Sequence, residues 1–297
     1  MRSPRRLQGA DLPPLDVEGL RAYPPGWRVV AATLFAVSRA SLPAMLVAIL
    51  VERNPPVTPP VLFRSVVLFA LFPGIGAWLV ERALAARVAI GDGRLALSRL
   101  GLRMEATASA IVRVVPWRVP LPGPGFSLVL MDGRRVRQGL GARDPLPLLE
   151  ALAERAGVAA ARAAAAHPTT VYAHAKAGAG PWRWHHLAGK FLLFALAPTA
   201  VLFNAHQHIA YGGLFGEYYL VGPAAYFRTF AIHWATVIIQ LVLYASVWRG
   251  LGEGAALGAA WITPSRAARV RRAVELSCRA LYYGGVPVLL GLRFAPW

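Results

Sequence analysis

Residues 224–248 read AAYFRTFAIHWATVIIQLVLYASVW, and in this stretch Arg228 is the only charged residue. A segment needs about 20 mostly apolar residues to cross a hydrocarbon core of roughly 30 Å, so this one reads as a transmembrane helix. Three more windows share its character: Val29 to Val51, Val61 to Val80 and Leu187 to Phe203. A fifth, Ala273 to Leu292, is weaker because Glu275 and Arg279 stand near its start. The expected fold class is a polytopic α-helical membrane protein with about five transmembrane helices. Composition agrees: of 297 residues, 56% are hydrophobic and 15% charged, and the mean hydropathy is +0.47, too apolar for a soluble domain of this size.

The net charge of +18 would suggest nucleic acid in a soluble protein. Only Lys176 and Lys190 are lysines among the 32 basic residues, and the chain is rich in Ala, Gly and Pro. That bias points to a GC-rich genome, so no nucleic-acid partner is expected. The basic residues fall into alternating sets between the spans. Five lie in the arm 1–28, sixteen between Arg82 and Lys190, and six between Arg249 and Arg279, whereas Arg53, Arg228 and Arg293 alone fall on the other side. Positive loops remain in the cytoplasm. A bacterial inner-membrane location with a cytoplasmic N-terminus follows, with the loops 52–60 and 204–223 outside. Arg39 and Arg64 remain within apolar windows. Cys278 is the only cysteine, so no intrachain disulfide can form.

Between Arg87 and Gly157 the continuous apolar runs give way to short alternating stretches broken by turns. Val88 to Ile90 and Leu95 to Leu97 flank Gly91-Asp92-Gly93; Phe126 to Met131 and Arg134 to Gln138 flank Asp132-Gly133. Asp-Gly supplies the positive φ of a tight hairpin turn. Asp144 and Pro145 open a helix whose Leu148, Leu149 and Leu152 form an apolar stripe ending near Gly157. The reading is a cytoplasmic α+β insert. With its two Asp-Gly hairpins, the Ala110-Ile111 to Pro116-Trp117 segment and the terminal Asp144 to Ala156 helix, residues 87–157 resemble the bacterial pleckstrin-homology-like modules of some membrane proteins. The resemblance implies docking to a protein or to the membrane surface and no catalysis. A generic β-rich insert capping the spans is the alternative.

The expected organisation is an arm (1–28), a transmembrane hairpin (29–82), the PH-like module (87–157), an Ala/Gly-rich linker (158–186) and a C-terminal transmembrane region (187–297). Trp182, Trp184, His185, His186 and Lys190 suit an interfacial belt.

Chemistry concentrates in the outer loop, where His206-Gln207-His208 is followed by Glu217, Tyr218 and Tyr219, with His233 in the next span. Imidazoles with a carboxylate suit a transition metal, or else form a structural polar network. His206 and His208 share a side only if that segment is extended. Arg39 lies mid-span, where a charge costs at least about 2.5 to 3.5 kcal/mol unless it meets a partner. It is expected to face protein, with Gln240, His233 or a lipid headgroup as partner, or to snorkel from a helix broken near Ser38 to Pro43. Arg266, Arg269 and Arg272 recur every three residues after Thr263-Pro264, a basic stripe for anionic headgroups or for orientation. The chain has no G-x-S-x-G elbow and no G-x-x-x-x-G-K-[ST] phosphate loop.

Two functions follow. The first is a non-enzymatic accessory or assembly subunit of a larger membrane complex, with membrane lipids and a membrane protein as partners. The second is a membrane-embedded enzyme for a lipid or quinone-like substrate, using His206, His208, Glu217 and His233 with Arg39 or Arg228.

Overall fold

The computed structural model describes residues 19–52, 58–91, 93–99, 102–180 and 183–294. The arm up to residue 18, most of the 52–60 loop, Asp92 and Trp182 therefore lie outside the described residues. Among the described residues four helices are long and apolar enough to cross a membrane: α1 (Trp27–Val51), α2 (Pro59–Ala83), α6 (Trp184–Tyr211) and α8 (Pro223–Ile262). The fifth window does not form one such helix. It is divided at Gly284 into α9 (Ala267–Tyr283) and α10 (Gly285–Phe294), and α9 carries the charges that weakened it.

The chain forms two compact units. One takes in the segments up to Ala36, Ile75–Ala179 and Leu257–Ala268; the other takes in Val37–Gly74, Gly180–Ala256 and the chain from Arg269 onward. Among the described residues the first unit is built on seven strands. β2 (Arg87–Gly91), β3 (Arg94–Arg99) and β4 (Leu102–Thr107) form one antiparallel sheet. β1 (Arg21–Tyr23), β7 (Gly139–Gly141), β6 (Gly125–Leu130) and β5 (Ile111–Pro116) form the other, in that order. Alternation puts Val88, Ile90, Leu95, Leu97, Phe126 and Leu128 inside, under helix α3 (Leu146–Glu154), whose Leu148, Leu149 and Leu152 are fully buried. The first hairpin forms as expected, Gly91 facing Arg94 around Gly93 at φ +68°. The second is irregular. Arg135 makes one bridge to Val129, and regular pairing with β6 resumes only in β7.

Two sequence expectations change here. The expected linker 158–186 is largely folded: α4 (Ala159–Ala165) and α5 (Pro168–Ala177) pack into the unit, burying Ala161, Ala164, Thr170 and Tyr172. Small alanines can be buried without an amphipathic stripe, so the pattern hid them. The described end of the arm, from Gly19, is also not separate from the module. β1 pairs with β7, Arg21 opposite Gly141, and the Ala22 and Ala86 amides donate to the Leu84 and Leu20 carbonyls at 2.9 Å.

β1 precedes the α1–α2 hairpin and its partners follow it, so both ends of that hairpin lie on one side of the membrane. Leu257–Ala268 joins the same unit after two more spans. Trp117 fixes the start of α1 to this unit. Its indole lies on Gly125, Gly139 and Gly141, where an added Cβ would come within 2.7 to 2.8 Å of the ring at Gly125 and Gly139. The Arg28 guanidinium stacks 3.9 Å from the ring centre, the Tyr23 ring meets it edge-on at 5.8 Å, and its Nε1–H donates to Ser127 Oγ at 3.2 Å.

In the second unit α2 contains a π-helical turn, Val67–Leu71. Such a turn changes the backbone pairing, and Ser38 and Ser41 of α1 donate to the Ala70 and Phe69 carbonyls at 2.7 and 3.0 Å. α1 runs unbroken through Pro43, so the helix does not break near Ser38 to Pro43.

Candidate functional site

The polar cluster of the second unit grows from two helices facing each other. On α6, Pro198, Leu202 and His206 follow one another at one-turn spacing; on α8, Thr229, His233 and Val237 do the same. Beside the first row lies Gln207, and between the helices comes the short α7 (Gly216–Leu220). Gln207 is 0% and Glu217 4% exposed. The Gln207 amide and Glu217 bond in both directions: Gln207 Nε2 donates to Glu217 Oε2 at 2.7 Å, and the Glu217 backbone N–H donates to Gln207 Oε1 at 3.2 Å. Thr229 Oγ1 donates to the other carboxylate oxygen at 2.7 Å. One carboxylate therefore holds α6, α7 and α8 together. Burial pushes the Glu217 pKa up, but the hydrogen bonds from Thr229 and Gln207, the nearby His206 and a bond from Tyr211 outweigh it, leaving the pKa below the ordinary value.

The His206 and His233 rings lie 4.9 Å apart, tilted by 43°. His233 Nδ1–H donates to the Thr229 carbonyl at 2.9 Å. A carbonyl can only accept, so in the neutral ring the proton is on Nδ1 and Nε2 remains an acceptor.

The structure corrects the sequence reading of this site. The segment expected as an outer loop, 204–223, is helical through Tyr211. Two residues on a helix are about 200° apart, so His208 points away from His206: it is exposed and its Nδ1–H donates to the Asn204 carbonyl at 2.9 Å. Among the described residues no three His, Cys, Asp or Glu side chains converge to hold a metal. The metal reading of His206, His208, Glu217 and His233 gives way to a polar network in which Gln207 and Thr229 take the places expected of ligands. Gln207 stood in the sequence between two histidines that drew the attention.

Arg39 is exposed on α1 and engaged in a contact of its own. It does not face the protein interior, because Ser38 and Ser41 occupy the side of α1 that meets α2. Arg266, Arg269 and Arg272 are exposed as a stripe would require. Arg271, which interrupts them, is 3% exposed and enters a closed quartet. Arg249 meets Glu253 at 2.9 Å and Glu275 at 2.8 Å; Arg271 meets Glu253 at 3.0 Å and Glu275 at 2.6 Å. The signal was legible as the Arg-x-x-x-Glu spacing on both α8 and α9. Lys190 stacks 4.2 Å from the Tyr282 ring, whose hydroxyl donates to the Lys190 carbonyl at 2.7 Å. In comparisons with protein-family models, curated proteins and solved structures, nothing matches this chain.

Proposed function

We propose that this protein is a non-enzymatic accessory or assembly subunit of a larger complex in the bacterial inner membrane, and that it docks its partner through the PH-like β module. The observation that carries the reading is the module itself. Among the described residues it has antiparallel sheets of three and four strands with α3 packed on their core, and it is joined to the first span through β1 and the Arg28–Trp117 stack. A module held this way gives a bound partner a fixed place at the membrane surface. The excess of arginine in the segments around it supports a cytoplasmic position for the module.

The docking face suits apolar contact with a protein. β5 is the outermost strand of its sheet, and it exposes Val112, while Met131 stands exposed just after β6. Purification in a mild detergent should bring down a defined membrane partner. Val112→Glu with Met131→Glu should release that partner while the thermal melt stays unchanged, because neither side chain is in the core. Recovery of the wild-type chain alone would overturn this reading.

A further inference from the structure

The second unit contains a cavity of about 360 Å³, in the range of small-molecule sites. α1, α2, α6, α8 and α10 all line it, with Leu46, Leu62, Leu202, Val237 and Leu289 among the walls. Gln240 and Tyr244 are the polar lining residues, and the Tyr244 hydroxyl already donates to the Leu281 carbonyl at 2.9 Å. Gln240 makes no hydrogen bond to another described residue. The wall also leads to the polar cluster. Leu202 and Val237 each lie one helical turn, about 5.4 Å, from His206 and His233.

From this arrangement we infer a binding site for an amphiphile with an apolar chain and an uncharged, hydroxyl-bearing head. The chain fills the cavity, whose walls offer it almost nothing but hydrocarbon. The head lies at the histidine pair. The Nδ1–H of His233 is held by Thr229, so Nε2 presents a lone pair, and a hydroxyl donating to it completes the ring's bonding. Gln240, exposed on the cavity wall, offers a second polar contact to an oxygen further along the ligand. The buried Glu217 carboxylate beside His206 disfavours an anionic head. Two membrane components have this chemistry, a reduced quinone and a diacylglycerol. The site is independent of the docking module and stands or falls without it.

The test uses full-length protein stripped of lipid in a short-chain detergent. The probes are a decyl-chain benzoquinol kept reduced, 1-palmitoyl-2-oleoylglycerol, the methyl ether of each, and hexadecane, with affinity read by calorimetric titration. At least one hydroxyl probe should bind, and its methyl ether about tenfold more weakly, the equivalent of one lost hydrogen bond. The tighter of the two parents identifies the source. His233→Phe should remove the preference for hydroxyl over ether. Val237→Trp should abolish binding by filling the cavity, and Leu289→Trp does the same from another wall if the first variant does not fold. Binding of hexadecane as tight as that of the hydroxyl probes, a preference that survives His233→Phe, or no binding by any probe would each overturn the inference.

Discussion

At the scale of single residues, the most consequential side chain is Glu217, because three helices meet at its carboxylate. Its ionised form is the one the fold favours. A carboxyl whose folded pKa lies below its ordinary value of 4.5 adds stability above that value, and the stability is lost as pH falls through the folded pKa. Thermal melts in detergent should therefore decline on acidification below about pH 4.5, and Glu217→Gln should flatten that limb. Gln207→Leu keeps the size and removes both bonds, and it should cost about 2 to 3 kcal/mol at neutral pH, measured by denaturant titration in mixed micelles. His167 moves in the same direction for another reason. Burial, then the nearby Arg118, lowers its pKa, so the neutral ring that accepts the Thr169 amide at the start of α5 is favoured. The unfolded chain takes up that proton first, and this contribution falls away below about pH 6.5.

At the scale of elements, α8 and α9 are joined by four charges. In the Arg249–Glu253–Arg271–Glu275 quartet each charge has two opposite partners, so removing one strands two. Glu275→Ala should cost about 3 kcal/mol or more, yet replacing all four with apolar residues of similar volume should cost less than that single change. Urea or guanidinium unfolding of both variants decides it. Elements also show what was legible in the sequence. The four long helices were visible because charge is sparse over a span's length in each of them, and the first hairpin because Asp-Gly dictates a turn. The fifth window failed where its own charges, Glu275 and Arg279, had warned. The site was half legible: His206, Glu217 and His233 do come together, but His208 does not, since its direction depended on whether the backbone there is helical. No local pattern announces β1 either. Three residues between Gly19 and Pro24 have no periodicity to read, and their partners stand far along the chain.

For the whole molecule, strand pairing across the first hairpin of spans fixes topology without reference to charge. In a chain with Cys278→Ser, a cysteine placed at exposed Thr58 or Tyr219 should react with a membrane-impermeant maleimide in intact cells, and one at exposed Arg135 only after permeabilisation. The reverse pattern would invert the orientation taken from the arginines while leaving the pairing intact. The Trp117 slot makes a further demand at this scale. Gly139→Val should drive a branched side chain into the indole, loosen β7 and lower the melting temperature of the β module, seen by tryptophan fluorescence.

The β1–β7 pairing also has a consequence in time. Arg21 meets Gly141, so some 120 residues must be made before the first strand finds its place, roughly 6 to 24 s of synthesis at bacterial or slower rates. During that interval α1 and α2 are committed to the bilayer while the strand ahead of them waits. Completion of the module is thus a report that the preceding hairpin was inserted with both ends on the same side. A chain that inserts wrongly is left with an open sheet edge, which is a form that quality-control proteases and chaperones can recognise.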